Sequence, residues 1–276
     1  MGNLAKRSMT GIVYVGAIVG CILSGDIAVL ILSMLFSALG VAEFSMLSEK
    51  DRIHRASFIM DIAGGMLLTF SIAMCYSSLS ASTPLFLLAW LLWVLGRMIV
   101  ELYIHQQDAL THLCHSIAAQ IYIALPLGLL NLVNTLSWPL TMFMFILIWL
   151  NDTGAFIVGS QLGRHRLFER ISPKKSWEGF WGGMFFCIVA SAAVCFIYPG
   201  VFSGIMPIGC WIGYGVLVSA FATWGDLVES MIKRTLGVKD SGNILPGHGG
   251  ILDRIDSLLF VIPLTFIYIV IARSII

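Results

Sequence analysis

The sequence predicts an all-α protein that crosses a membrane about nine times. Of its 276 residues, 58% are hydrophobic and only 11% are charged, whereas a soluble domain carries about 25% charged residues. Several apolar runs reach the roughly 20 residues that a helix needs to cross the hydrocarbon core. The alternating segments typical of a membrane β-barrel are not found, and in lipid only helices then pair every backbone group.

The apolar runs and the turn residues between them predict nine spans. Turn residues separate most of the runs, as at 80–84 and 199–200. The first two runs are joined tightly at Ser24-Gly25-Asp26, so they also fit a single re-entrant hairpin. The nine spans are 8–24, 26–47, 58–77, 84–104, 112–131, 138–160, 179–198, 205–232 and 256–275.

The charges predict how these spans are oriented. Nine spans place all but one of the 16 Lys and Arg residues on one face, and only Arg273 on the other. Because cytoplasmic loops carry the excess of Lys and Arg, we expect a cytoplasmic N-terminus and an external C-terminus. The residues on the cytoplasmic face are Lys6, Arg7, Lys50, Arg52, Arg55, Arg97, Arg164, Arg166, Arg170, Lys174, Lys175, Lys233, Arg234, Lys239 and Arg254.

The residues that could carry chemistry lie in the second half of the chain. We therefore divide it into N-terminal transmembrane helices at 1–136 and a C-terminal transmembrane catalytic region at 137–276, with its site at the cytoplasmic edge. A net charge of +1 gives no indication of a nucleic-acid partner. Neither a GxxxxGK[ST] loop nor a strand–GxGxxG–helix unit is present, so a nucleotide would be held by the membrane region itself.

The segment 151–183 contains the first group of candidate residues. Ser172-Pro173 predicts an N-cap followed by proline at the first helical position. Lys174 and Lys175 would then lie beside the free amides of a helix start, which attract phosphate. Asp152 falls at the cytoplasmic end of the sixth span, where an uncompensated carboxylate is unfavourable and suggests a function. A solvated loop that only directs topology remains an alternative, and it suffices for Arg170.

The segment 225–257 contains the second group. In a continuing helix, Asp226, Ser230 and Lys233 share one face, with Glu229 beside them. Such carboxylates beside cations at a membrane edge suit Mg²⁺, which usually takes one or two carboxylates and phosphate oxygens of the substrate.

The start of the last span adds to this group. Asp253 and Asp256 share a face there, and the glycines Gly247, Gly249 and Gly250 would let backbone amides approach an anion closely. The alternative is an ordinary charged loop whose ion pairs hold two helices together.

At these residues the chain resembles a known family. The stretches 230–234, 239–242, 245–250 and 251–256 match the signature of the phosphatidate cytidylyltransferase (CDP-diacylglycerol synthase) family. The upstream blocks 151–156 and 172–179 are similar to the same family. The resemblance implies an integral-membrane nucleotidyltransferase that makes CDP-diacylglycerol and pyrophosphate from CTP and phosphatidic acid, with Mg²⁺ as cofactor and room for a second cation.

The resemblance also implies roles for individual residues. Asp226 and Asp253 are the metal ligands, with Asp152 and Asp256 as further candidates. The implied catalytic residues are Asp226, Lys233, Asp240, His248 and Asp253. The implied substrate- and phosphate-binding residues are Lys174, Lys175, Ser176, Ser230, Arg234, Lys239, Gly249, Gly250 and Arg254.

Three other functions are compatible with a membrane protein that carries these groups. A lipid-alcohol kinase or a CDP-alcohol phosphotransferase would also use Mg²⁺, but the D-G-x-x-A-R pattern of the latter family is not found here. An ion-coupled transporter is suggested by Asp61, Asp152 and Asp226, although a transporter would place such groups near the midplane on broken helices.

The expected location is a bacterial inner membrane, with the site facing the cytoplasm. The expected partners are CTP and phosphatidic acid in the bilayer, and no nucleic acid; a homodimer, and the choice between CTP and dCTP, are left open.

Overall fold

A computed structural model of the chain describes residues 3–49, 54–75, 83–104, 108–202, 205–242 and 249–275. Eleven α-helices and one two-stranded hairpin lie within these ranges. The elements are α1 Asn3–Ser24, α2 Asp26–Glu49, α3 Arg55–Met74, α4 Thr83–Ile104, α5 Ala109–Ala119, α6 Leu125–Leu136, α7 Trp138–Leu162, β1 Arg166–Phe168, β2 Ser172–Ser176, α8 Trp177–Ile197, α9 Pro199–Phe202, α10 Ile208–Thr235 and α11 Leu252–Ile275.

The all-α class predicted from hydropathy is confirmed. Among the described residues, eight helices are long and apolar enough to cross a membrane, and Met9–Ser24 is a shorter apolar helix. The eight are Asp26–Glu49, Arg55–Met74, Leu85–Ile104, Ala109–Leu136, Trp138–Leu162, Trp177–Ile197, Gly209–Thr235 and Leu252–Ala272. The protein is therefore an integral membrane protein built from helices.

Two backbone irregularities follow directly from the sequence. Gly25 joins α1 to α2 with φ +102°, a left-handed conformation that favours glycine. Between α5 and α6, residues Gln120–Ala124 form one π-helical turn. Pro126 follows this turn and has no N–H to donate, so the wider turn accommodates its ring without breaking the helix.

The chain forms two compact units. The first consists of residues 1–138 together with 240–254, and the second of 139–239 together with 255–276. The segment 240–254, which the sequence predicts to belong to the catalytic region, thus folds with the unit that contains α1–α6. The functional division of the chain remains a prediction.

The first unit buries polar side chains as well as apolar ones. The Arg97 guanidinium, 2% exposed, pairs with Asp61 at 2.9 Å and with Glu101 at 2.6 Å. Ser116 donates a hydrogen bond of 2.5 Å to the same Asp61 oxygen. Arg97 lies buried within α4 and is not a charge of a cytoplasmic loop, so the prediction that places it on the cytoplasmic face with the loop residues is wrong for this residue. The topology prediction therefore depends on the other basic residues.

The second unit has an aromatic core. Trp211 is fully buried and packs edge-on against Phe143 and Phe202, with ring centroids 5.8 and 5.0 Å away. The phenol of Tyr214, on the next turn of α10, forms a 2.9 Å hydrogen bond with Thr265 of α11. Because indole and phenol groups are satisfied in this core, it holds α7, α10 and α11 in a defined arrangement.

Glycines bring α7 and α8 close together in the same unit. A Cβ on Gly154 would lie 3.2 Å from the Cα of Gly183 and 2.7 Å from the Phe186 ring. Further along, a Cβ on Gly159 would lie 3.4 Å from the Cα of Gly179. This close packing of two helices at small residues is the usual arrangement in membranes.

Candidate active site

A short β-hairpin precedes α8, at residues for which the sequence predicts a helix start. Strands β1 and β2 are antiparallel, and Arg166 lies opposite Ser176 and Phe168 opposite Ser172. The prediction that Ser172 caps a helix with Pro173 at its first position is wrong. Pro173 is tolerated in this two-stranded ribbon because a strand at an edge does not need every N–H.

The true cap of α8 is Ser176. Its backbone is extended, with φ −124° and ψ 156°, and its Oγ accepts a hydrogen bond of 3.1 Å from the Gly179 N–H. A Cβ on Gly163 would lie 2.7 Å from this oxygen. Ser176 is therefore a buried residue with a structural role, in addition to any contact with substrate.

Glu178 fixes the hairpin to the first turn of α8. Its carboxylate accepts hydrogen bonds from the backbone N–H of Arg164 at 3.1 Å and of His165 at 3.2 Å. The His165 ring lies 2.6 Å away through Nδ1. The Trp177 N–H also donates to the His165 carbonyl at 2.9 Å. The hairpin is thus held at its base.

A cavity of about 600 Å³ lies beside this hairpin, within the second unit. Small residues of α7 and α8, including Ala155 and Gly159, leave the space open. The cavity is lined by Asn151, Asp152, Ala155, Phe156, Gly159, Ser160, Gly163, Arg166, Leu167, Lys174, Lys175, Ser176, Gly179, Phe180, Thr223 and Asp226. The structure therefore brings together five of the predicted site residues, namely Asp152, Lys174, Lys175, Ser176 and Asp226.

An ion pair connects the two walls of the cavity. Lys175 Nζ on β2 lies 2.6 Å from Asp226 Oδ2 on α10, and the two side chains are 25% and 34% exposed. Ser230, one turn further along α10, donates a hydrogen bond of 3.2 Å to the other Asp226 oxygen. Lys174 is the more exposed of the two lysines. This wall therefore combines cations that can neutralise phosphate with a carboxylate that is accessible to a ligand.

Further carboxylates lie near Asp226. Asp256 in the first turns of α11 is close enough to Asp226, Glu229 and Asp152 to be repelled by all three charges. No three His, Cys, Asp or Glu side chains stand close enough together to form a complete metal cage in the described part of the chain. Mg²⁺ needs only one or two carboxylates when a substrate supplies phosphate oxygens. Asp226 and Asp256 supply carboxylates of the kind that Mg²⁺ binds, so the residues present are compatible with that ion.

Asn151 supports the floor of the cavity. Its side-chain oxygen accepts a hydrogen bond of 2.6 Å from Ser219, and its amide nitrogen lies 3.5 Å from the Thr223 hydroxyl. We did not predict these residues, or Arg166, as parts of the site. Arg166 was recognisable only as a charge in a basic loop, and the polar spacing of Ser219 and Thr223 was hidden within an apolar run.

Two predicted site residues of α10, one catalytic and one phosphate-binding, have internal partners. Lys233 is buried and lies 2.6 Å from Glu229, one helical turn away. Arg234 donates to the carbonyls of Val238, at 3.1 Å, and Ile171, at 3.5 Å, and so ties the end of α10 to the turn of the hairpin. Lys239 is exposed. The roles of these residues in substrate binding remain predictions.

The first unit contains the other predicted residues, around the start of α11. Asp253 Oδ2 accepts hydrogen bonds from the N–H groups of Ser241 at 3.0 Å and Gly250 at 2.8 Å. Gly249 has φ +81°, which explains a glycine there. Asp240 and Arg254 are exposed, and the predicted catalytic residue His248 lies outside the described residues.

A buried glutamate joins this group and was not predicted. Glu43 Oε2 on α2 accepts hydrogen bonds of 3.0 Å from Ser241 Oγ and 2.8 Å from the Leu252 N–H. It lies 198 residues before the first partner and 209 before the second. No local pattern in the sequence connects residues so distant.

Comparison with known proteins relates this chain to one family. The profile of the cytidylyltransferase family matches residues 5–272. The chain is 46% identical over 131 residues to phosphatidate cytidylyltransferase of Staphylococcus aureus, an alignment that covers 47% of this chain and 48% of that protein. It is 45% identical over 148 residues to the Staphylococcus saprophyticus protein of the same name, covering 52% and 55% of the two chains. The chain thus spans about half the length of these relatives.

Proposed function

Because the chain belongs to the cytidylyltransferase family, we propose that it makes CDP-diacylglycerol and pyrophosphate from CTP and phosphatidic acid. The activity for which its relatives are named carries this proposal. The cavity supports it: accessible lysines on a hairpin face an aspartate, and a phosphate-rich substrate needs both cations and a metal-binding carboxylate. A transporter would not require this basic hairpin.

The proposed reaction is an in-line substitution at phosphorus. A phosphate oxygen of phosphatidic acid attacks the α-phosphorus of CTP and forms the new P–O bond. The bond from the α-phosphorus to the oxygen that bridges to the β-phosphorus breaks, and pyrophosphate leaves with that electron pair. Such chemistry depends on positioning and on neutralising charge more than on a covalent catalyst.

The residues of the cavity have separate roles in this proposal. Lys174, Lys175 and Arg166 bind the phosphates, and Lys175 exchanges its ion pair with Asp226 for a substrate oxygen. Ser176 donates a hydrogen bond to the same phosphates. Ser230 is not among the residues that line the cavity and donates its hydroxyl to Asp226 in the free protein, so its contact with phosphate stays a prediction from the family resemblance. Asp226 is freed from Lys175 when substrate enters and becomes available to the metal.

Asp226 and Asp256, with Asp152 nearby, would hold Mg²⁺ in the second unit. When bound, Mg²⁺ would neutralise the charge that develops on the transferred and leaving phosphate oxygens. Asp253 as a metal ligand, and a second cation, remain predictions from the family resemblance.

The remaining predicted residues, which lie between positions 233 and 254, are proposed to act on the triphosphate of CTP or on the loop that leads into α11. Lys233, Arg234, Lys239 and Arg254 supply positive charge, and His248 donates a hydrogen bond to phosphate. Gly249 and Gly250 allow a phosphate to approach the backbone. Asp240 shapes the loop.

We also propose nine spans in a bacterial cell membrane, with the N-terminus and the site on the cytoplasmic side. Met9–Ser24 is counted as the additional span. A reporter fused after Arg273 should read external, and one inserted between Glu169 and Ile171 should read cytoplasmic. Both reporters on one side would overturn the nine-span topology.

One assay tests the activity. The purified protein is incubated in mixed micelles with phosphatidic acid, Mg²⁺ and CTP, dCTP or ATP, and both pyrophosphate and the lipid product are measured. We expect pyrophosphate and CDP-diacylglycerol with CTP or dCTP, and little turnover with ATP. Transfer of a terminal phosphate from ATP to a lipid alcohol, with release of ADP, would instead identify a kinase.

A further inference from the structure

Glu43 is a carboxylate buried in an apolar helix. Helix α2 is long and apolar enough to cross a membrane, and Glu43 within it is only 2% exposed. A charged group at such a position is unfavourable unless it is hydrogen-bonded, and within a membrane it usually marks a function. The cavity and chemistry described above do not use this residue.

The partners of Glu43 lie at both ends of one segment. Its Oε2 accepts a hydrogen bond from Ser241 Oγ at 3.0 Å and one from the Leu252 N–H at 2.8 Å. Leu252 is the first residue of α11, whose initial N–H groups have no partner within the helix. Glu43 therefore caps α11 from a different helix and, through Ser241, holds the chain that leads into the segment.

Two glycines make room for this carboxylate. A Cβ on either Gly242 or Gly250 would overlap Glu43 Oε1, and on Gly250 it would also overlap the Ser241 hydroxyl. Neither glycine has a positive φ, so both are explained by space and not by backbone conformation. Gly242 and Gly250 are thus required because they leave space for the Glu43 carboxylate.

The same contacts orient Asp253. Ser241 donates its hydroxyl to Glu43 and its N–H to Asp253 Oδ2, and Gly250 donates its N–H to the same Asp253 oxygen. The Asp253 N–H in turn approaches Ser241 Oγ at 3.4 Å. A change at Glu43 therefore reaches Asp253 through Ser241 and Leu252, without contact with a substrate.

We infer that Glu43 is a positioning residue, which holds residues 241–242 and 249–252 and thereby fixes the Asp253 carboxylate for the reaction. The effect of Glu43 on turnover rests on the proposed function. The effect of Glu43 on the backbone at Ser241 and Leu252 does not rest on it, because these hydrogen bonds exist in the free protein.

The first experiment measures the loop directly. Hydrogen–deuterium exchange is followed by mass spectrometry in detergent micelles for peptides that cover 239–254, in the unaltered protein and in Glu43→Gln. Hydrogen bonds to a charged acceptor are about twice as strong as neutral ones, so we expect exchange at this segment to rise about tenfold. Ser241→Ala, which removes a single hydroxyl, should also raise hydrogen–deuterium exchange in the same peptides.

Glu49→Gln is the matched control. Glu49 is a second buried carboxylate of α2, and it lies 3.1 Å from His112 Nδ1, a partner outside the loop. We expect Glu49→Gln to leave exchange at 239–254 unchanged. Unchanged exchange in Glu43→Gln, or an equal rise in both variants, would overturn the inference.

The second experiment measures catalysis per folded molecule. In Glu43→Gln we expect kcat to fall about tenfold or more and the half-saturating Mg²⁺ concentration to rise, with little change in KM for phosphatidic acid. The double variant with Ser241→Ala should lose little more than either single variant, because the two side chains act together. Faster exchange with unchanged kcat and Mg²⁺ dependence would reduce Glu43 to a structural role and refute the inference. If the unaltered protein lacks the activity while exchange responds as expected, the proposed function fails and the positioning of the loop stands.

Discussion

The two compact units use carboxylate–cation pairs in different ways. In the first unit, Arg97 and its partners Asp61 and Glu101 are at most 3% exposed. In the second unit, Lys175 and Asp226 are paired at 2.6 Å but are 25% and 34% exposed. The distances are similar, and the difference lies in access to water and ligands. A short ion pair is therefore no indication of function until its exposure is known.

The comparison also changes how the aspartates are interpreted. On sequence, Asp61, Asp152 and Asp226 together suggest an ion-coupled transporter. In the structure, Asp61 Oδ1 accepts hydrogen bonds from Arg97 Nε and Ser116 Oγ, so its charge is compensated within the unit. Asp226 instead faces a cavity with lysines. The buried group serves structure, and the accessible pair suits exchange with a charged substrate.

The largest expected effect concerns the buried group. Replacing Arg97 with Met leaves Asp61 and Glu101 buried without their shared cation. Breaking a buried pair in this way typically destabilises a protein by about 3–5 kcal/mol. The free energy of unfolding in mixed micelles should fall by that amount, while specific activity per folded molecule stays near that of the unaltered protein.

Asp61→Asn is the control for the Arg97 variant. It removes one of two negative charges beside a single guanidinium and leaves the Arg97–Glu101 pair intact. We expect a smaller loss of stability than with Arg97→Met. Loss of turnover in well-folded Arg97→Met protein would show that the buried group takes part in function. It would contradict the view that only the accessible Lys175–Asp226 pair does so.

The next largest effect concerns the accessible pair. Asp226→Asn keeps the shape of the side chain and removes the charge that Mg²⁺ requires. Metal stabilisation of a phosphoryl-type transition state is worth several kcal/mol, so turnover should fall about a hundredfold or more. Thermal unfolding should change little, because the pair is partly exposed and such pairs contribute about 0–1 kcal/mol. Glu169→Gln, an exposed carboxylate in the turn of the hairpin, should retain full activity.

Asp253→Asn provides a comparison for Asp226→Asn. We expect turnover to fall to the same extent, since Asp253 is a metal ligand in the family resemblance, and Asp240→Asn to be milder. Specific activities are measured during a Mg²⁺ titration. Normal activity at ordinary Mg²⁺ in either of the first two variants would refute the metal assignment for that residue.

A smaller effect is expected for the cations of the hairpin. Lys174→Ala combined with Lys175→Ala removes two charges from the cavity wall but leaves the β1–β2 pairing and the α8 cap in place. We expect turnover to fall about tenfold, which corresponds to about 1.4 kcal/mol, with unchanged membrane insertion. Arg170→Ala removes one exposed cation of the same hairpin that is not part of the cavity lining. Equal turnover in both variants would reduce the lysines to a topology signal.

Hydropathy predicts the helices because each span satisfies a local rule of length and polarity. Length and polarity do not predict the hairpin at 166–176, since Ser172-Pro173 fits a helix cap as well as it fits a strand. Site residues close together in sequence, such as Asp226 and Ser230, follow from helical periodicity. The pairing of Glu43 with Ser241 and Leu252 does not, because it is fixed only when the whole first unit packs.

The smallest effect separates the two roles of Ser176. Its Oγ accepts the Gly179 N–H and caps α8, and loss of a serine cap costs about 1 kcal/mol. A hydroxyl that accepts one hydrogen bond still has its own proton to donate, so the cap does not prevent a contact with phosphate. In Ser176→Ala we therefore expect the free energy of unfolding to fall by about 1 kcal/mol and turnover per folded molecule to fall less than in the double lysine variant. Both are measured on the same preparation. A fall in turnover larger than that of the lysine variant, with unchanged stability, would make Ser176 a principal phosphate ligand. The partly exposed charges of Lys175 and Asp226 would then no longer be the dominant feature of the cavity.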